Sequence, residues 1–248
     1  MFIPRSPVPT RRSPVRAVAA SFAFSLAAAL LMYPAVLRAQ VGHRPDQSPY
    51  EDVKLGQSLS VSAGWFAFKR DPAGVAPQAA PYGSVRYDVS VGGPASLYAR
   101  YAIATTNRTL YAPGAVAAAR KTGEPGVAMH VMDVGLDMGL TGRKTWHHII
   151  PAVSGGVGLV SDFAQVDSGG YQFGAKFAIS YGLGVRYVRS SGLRFRVDAT
   201  NYLWQYEYPD RYFVAASDGT SILTDTRQRS SWRGNWGLTA GIAYPIFK

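Results

Sequence analysis

Eight stretches of this chain alternate apolar with polar or small residues, and the intervals between them run long, short, long, short, long, short, long. Leu238-Thr239-Ala240-Gly241-Ile242-Ala243-Tyr244 shows the pattern: one parity is mostly apolar, and the other is Thr, Gly or Ala. Successive side chains of a strand point to opposite faces, so period-two alternation describes strands with two different environments. Eight such strands with alternating gap lengths predict an all-β fold, an eight-stranded antiparallel up-and-down transmembrane β-barrel.

The N-terminus reads as an export signal. Arg5, Arg11, Arg12 and Arg16 precede an apolar run from Ala17 to Leu37, and Arg38-Ala39-Gln40 follows. A basic start, an apolar run and a small residue at the cut predict a signal peptide over 1–39, cleaved after Ala39. Those residues hold five Arg and no acid, so cleavage lowers the net charge from +11 to +6. The remaining basic residues are scattered, whereas nucleic-acid binding needs a basic stripe, so no nucleic-acid partner is expected. No cysteine is present, which excludes a disulfide framework and any thiolate nucleophile or metal ligand. Residues 40–57 are polar, with Pro45 and Pro49, and read as a flexible periplasmic lead; the barrel domain spans 58–247.

Within the barrel, one parity gathers the apolar residues. Leu59, Val61 and Trp65 share it in the first strand, Leu97, Tyr101 and Ile103 in the third, and Met132, Val134, Leu136 and Met138 in the fourth. Phe173, Ala175, Phe177, Ile179 and Tyr181 are expected to share the lipid face of the sixth. The opposite parity holds Arg86, Asp88, Arg100, Asp133, Asp137, Lys176, Arg186, Arg194, Arg196 and Asp198, six basic and four acidic groups that would meet inside. Eight strands enclose little more than their own side chains. Buried charges there must be paired, so the expectation is a salt-bridged plug; a narrow pore is the alternative. Gly92-Gly93-Pro94, 141–145 and 189–192 have hairpin length, and the connections 69–81, 107–126, 161–172 and 207–231 are long and polar. Short turns on the periplasmic side and long loops outside place both termini in the periplasm.

The segment from Trp236 to Phe247, and the hairpin Gly182-Leu183-Gly184-Val185-Arg186-Tyr187 with Leu193-Arg194-Phe195-Arg196-Val197-Asp198, resemble the small outer-membrane β-barrel superfamily that includes the outer-membrane protein A, X and W types. The resemblance implies a bacterial outer-membrane location among lipid and lipopolysaccharide, and a terminal aromatic signal read by the barrel-assembly machinery. Lys248 and Pro245 depart from that signal. The resemblance is nearly silent on activity and on oligomeric state.

No catalytic, cofactor or metal residues are expected, and the chain reads as a non-enzyme with a structural or surface-interaction role carried by its external loops. A small-solute channel is one alternative and a lipid-modifying hydrolase another. Asp133 and Asp137 lie four residues apart on a strand, roughly 13 Å, too far for a paired acid and base. His147 and His148, as strand neighbours, would point apart and could not share an ion. His130 could approach Ser161 and Asp162, but its parity turns it outward. Trp65, Tyr82, Tyr101, Trp146, Tyr171, Trp204, Trp232, Trp236 and Tyr244 cluster toward strand ends and are expected to form the interfacial girdle.

Overall fold

The computed structural model describes residues 48–53, 55–163, 170–188 and 192–247. The predicted signal peptide and half of the predicted lead (40–47 and 54) lie outside them. Eight long strands form: β1 Gln57–Ala67, β2 Ala80–Gly92, β3 Ala95–Asn107, β4 Gly126–Gly139, β5 Ile149–Ser161, β6 Ala175–Val188, β7 Arg194–Glu207 and β8 Ser230–Phe247. Each pairs antiparallel with the next, and β8 returns to β1 through Leu238 opposite Trp65 and Ile242 opposite Val61. The sheet is therefore a closed barrel without a free edge, which satisfies every ladder in a medium that offers no hydrogen bonds.

The two faces are inverted relative to a water-soluble protein. Val134, Leu136, Leu183 and Leu238 are each more than half exposed on the outside, and Arg86, Asp133 and Asp137 are 2–3% exposed inside. A continuous apolar exterior around a charged core fits hydrocarbon outside and excludes a ligand-holding barrel in water. This is a transmembrane β-barrel.

All short connections lie at one end, here the turn end, and all long ones at the other, the loop end. At the β2–β3 turn Gly92 and Gly93 have φ of 127° and 57°, values that side chains rarely adopt. The β4–β5 connection is more elaborate than a plain turn. After Gly139 a short strand, Lys144–Trp146, forms, and His147 and His148 take φ of 48° and 66° to reverse the chain into β5. The pair thus sits in a two-residue left-handed turn, not on a strand as expected. Nor is the lead wholly irregular: Tyr50–Asp52 adds to this hairpin, with Glu51 opposite Thr145, and the Glu51 carboxylate lies 3.2 Å from His148 Nδ1.

Pro151 does not interrupt β5, which starts two residues before it; Pro151 pairs with Val185, and its carbonyl accepts from Leu140 N–H. Pro245 pairs with Ser58, and the register of β8 on β1 then slips between Pro245 and Phe247. Phe173 departs from the predicted lipid face. Gly174, at φ 63°, turns the chain just before β6, and the Phe173 ring is swung inside, 2% exposed.

Candidate functional site

The barrel interior has two storeys of different chemistry. The one toward the turn end is ionic. Its inward side chains come from strands where Gly alternates with charge, and the glycines make the room. A Cβ on Gly156 would lie 2.6 Å from the Tyr98 hydroxyl and 2.4 Å from the Val134 carbonyl, and one on Gly135 would lie 2.8 Å from the same hydroxyl. The Tyr98 ring occupies that space, with the Arg86 guanidinium 4.0 Å above its centroid.

Asp133 anchors mid-barrel. It receives both Nε and Nη2 of Arg100, at 2.8 and 2.7 Å, and the hydroxyls of Tyr98 and Ser180, at 3.0 and 2.9 Å. Arg100 also donates Nη1 to Thr200. Nearer the turn end, Asp137 accepts from Arg86 at 2.6 Å and from Arg186, and Arg196 Nη2 stands 3.9 Å away. Arg86 also donates to Asp88, at 2.9 and 2.6 Å. The register sets Arg186 opposite Arg196, so two cations meet across one ladder rung. Arg196 is held by a fork on Asp198, at 2.6 and 3.0 Å, and by Asp88 at 3.2 Å. Three guanidinium groups and three carboxylates therefore interlock around Asp137. Beside the network lies a cavity of about 20 Å³, bounded in part by Asp88, Arg186, Arg194 and Arg196, with room for about one water. Lys176 stands apart from the network, toward the loop end, with Nζ 5.3 Å from the Phe173 ring.

The storey toward the loop end is aromatic. Phe66, Tyr82, Phe173, Tyr202, Trp204 and Tyr206 are 0–4% exposed and pack edge to face or stacked, Phe66 lying 5.1 Å from Tyr82 and 5.5 Å from Tyr202. Tyr171, Tyr208 and Tyr212 stack above them with centroids 6.2 Å apart. Tyr82, Tyr171 and Trp204 were expected in the outer girdle, and the structure corrects this. Tyr82 shares the parity of Arg86, and Trp204 that of Arg196, so both point into the lumen. Trp65, Trp146, Trp232, Trp236 and Tyr244 do face outward.

The long connections close over the aromatics. In the β1–β2 connection Asp71 accepts the N–H groups of Ala73 and Ala76 and the Tyr208 hydroxyl, the last at 2.7 Å. Burial and the Asp71 carboxylate both push the Tyr208 phenol well above its ordinary range. Val75, from the same connection, is wholly buried. The β3–β4 and β7–β8 connections are clasped to each other. Arg120 donates to the Thr220 and Ser221 carbonyls, at 2.9 and 3.0 Å, and Asp218 accepts Ala117 N–H at 2.7 Å. Neither contact had any signal in the sequence.

The hydrolase constellation is not assembled. His130 faces outward, with Nδ1 2.7 Å from the Tyr101 hydroxyl, and Ser161 Oγ accepts from Phe163 N–H. Asp162 is turned inward, 3.9 Å from the buried Arg108. Among the described residues no group of three His, Asp or Glu side chains could hold a metal ion.

No family model and no curated protein matches the chain. Among solved structures it is similar to Neisserial surface protein A (9% identity, TM-score 0.46, covering 79% of this chain and 97% of that one). It is also similar to the N-terminal barrel domain of Pseudomonas aeruginosa OprF (10%, 0.42, 75% and 96%) and to the outer-membrane protein OprG of the same organism (9%, 0.43, 77% and 97%). Strand number, closure and the inverted faces give this chain the fold of a small eight-stranded transmembrane β-barrel.

Proposed function

We propose that this is a non-enzymatic, integral outer-membrane protein whose role is structural or surface-interacting, exerted through its long connections outside the cell. Both termini then lie in the periplasm, because the short turns share their end of the barrel. The observation that carries the reading is the filled lumen. Paired charges occupy one half and close-packed aromatics the other, and opening a path would break buried ion pairs that cost several kcal/mol each to separate. The β3–β4 and β7–β8 connections, in contrast, are tied to each other by bonds between segments about a hundred residues apart. That rigidity suits recognition, since a preformed surface loses little entropy on binding. Lipid and lipopolysaccharide would surround the apolar belt, and the barrel-assembly machinery would insert it.

Reconstitution into planar lipid bilayers with current recording tests the reading. A silent membrane, with insertion verified independently, is expected. Stable single-channel steps would overturn the plug and promote the narrow channel.

A further inference from the structure

The clasp between the two longest connections creates a cleft that the surface role does not by itself explain. Ala112, Pro113, Gly114 and Ala115 of the β3–β4 connection form one wall, and Arg211, Val214 and Ala215 of the β7–β8 connection the other, around about 480 Å³. This falls within the range of small-molecule sites. The walls are almost wholly apolar; Val214 and neighbouring Val116 expose 62% and 39% of their surface to water. Exposed apolar surface gathered in a concavity marks a place where something binds.

Two features narrow the occupant. Among the described residues Arg211 is the one charged residue lining the cleft, and Asp210, Asp218 and Glu124 are engaged elsewhere. Asp210 pairs with Arg229 at 2.6 Å, Asp218 holds Ala117 and Thr220, and Glu124 pairs with Lys121. A guanidinium on an apolar rim is complementary to one carboxylate. Much of the lining backbone has no donor to offer: Pro113 has no N–H, Ala112 N–H donates to the Arg120 carbonyl, Ala115 N–H to Ala112, and Val214 N–H to Arg211. An extended peptide would find few donors for its carbonyls, whereas an alkyl chain needs none.

We propose that this cleft binds a medium-chain alkyl carboxylate, its chain between the alanine walls and its head group on Arg211. The inference rests on the surface reading only for its location outside the cell. The site is tested on purified protein in lipid nanodiscs, with alanine methyls labelled for NMR, using octanoate and octanol as probes. Saturable shifts of Ala112, Ala115 and Ala215 with octanoate, and affinity about tenfold weaker for octanol, are expected from loss of one charge-assisted contact. Arg211→Gln should bring octanoate down to the octanol level, and Ala215→Trp, which fills the cleft, should abolish both. Equal binding of the two probes, shifts unchanged in Arg211→Gln, or no saturable shift would overturn the site. Protease added to intact cells separates the two readings. If it spares residues 208–229, and a membrane-impermeant maleimide also fails to label Ala118→Cys on those cells, while octanoate still binds, the surface role fails and the site stands.

Discussion

Asp137 is the carboxylate whose loss should matter most. It is 2% exposed and directly receives two guanidinium groups, Arg86 and Arg186, themselves 3% and 9% exposed, with Arg196 at 3.9 Å. Asp137→Asn keeps the shape but leaves three cations facing two carboxylates, Asp88 and Asp198. At an effective dielectric constant of about 20, one lost contact at 4 Å is worth about 4 kcal/mol. Asp137 makes two such contacts and the asparagine carbonyl restores part of them, so a net cost of about 3–5 kcal/mol follows, the range for an uncompensated buried charge. Asp198→Asn makes a contrast, because its side chain is 14% exposed and Arg196 retains Asp88. Its cost should be about 1–3 kcal/mol. Both are measurable by urea unfolding of protein refolded into vesicles. With a slope of about 1–3 kcal/mol per molar, Asp137→Asn should lower the midpoint by about 1 M or more. A midpoint equal to wild type, or a larger loss from Asp198→Asn, would refute the interlocked network. A water-filled interior would screen the charges and produce the first of these outcomes.

Two further expectations concern the glycine lining and the loop clasp. Gly156→Ala should cost about 1–3 kcal/mol by overpacking against Tyr98 and Val134, whereas Gly155→Ala, whose Cβ would meet nothing nearer than 4.0 Å, should be tolerated; equal effects on the unfolding midpoint would contradict the inward placement of Gly156. The Asp218 carboxyl is lowered from 3.8 to about 2, first by Ala117 N–H and then by Thr220. A depressed acid stabilises the clasp fully above its unfolded value and loses that contribution as pH falls through the folded one. The distance between spin labels on residues 118 and 217 should therefore hold from pH 7 to about 4 and lengthen toward pH 2; lengthening already at pH 5 would show that Asp218 is not the latch.

Much of the barrel was legible because period two is a strict rule. A residue two places from a lumen-facing one also faces the lumen, so Leu136 outside and Asp137 inside follow from neighbours alone. The same rule applied to Tyr82 and Trp204 puts them inside. Aromatics near strand ends suggest a girdle, but there parity outweighs composition. Phe173 departs from its expected face for the opposite reason. Its parity agrees with Phe177, but Gly174 leaves the strand conformation and breaks the count between them. His147 and His148 show a third limit: histidine is enriched at positive φ, but that weak preference is outweighed in the sequence by the alternation running on either side of the pair.

The partners of each charge lie beyond what alternation can reach. Across one hairpin, turn length sets Arg186 opposite Arg196, so their need for carboxylates is readable from local sequence. Which carboxylates arrive depends on how far the ladder shifts around the closed barrel, a quantity summed over all eight pairings. Arg86 meeting Asp137, and Asp137 meeting Arg186, are products of that sum. The loops have no periodicity at all, and the contact of Arg120 with Thr220 joins segments a hundred residues apart. Yet the barrel's closure decides both. It holds the ends of the β3–β4 and β7–β8 connections at fixed places on one rim, so a few cross-loop bonds suffice to order them. It also confines Arg86, Arg186 and Arg196 where they cannot separate, so each must find a carboxylate. The lumen is filled and the loops are ordered for one physical reason: a sheet without edges leaves its side chains and its connections nowhere else to go.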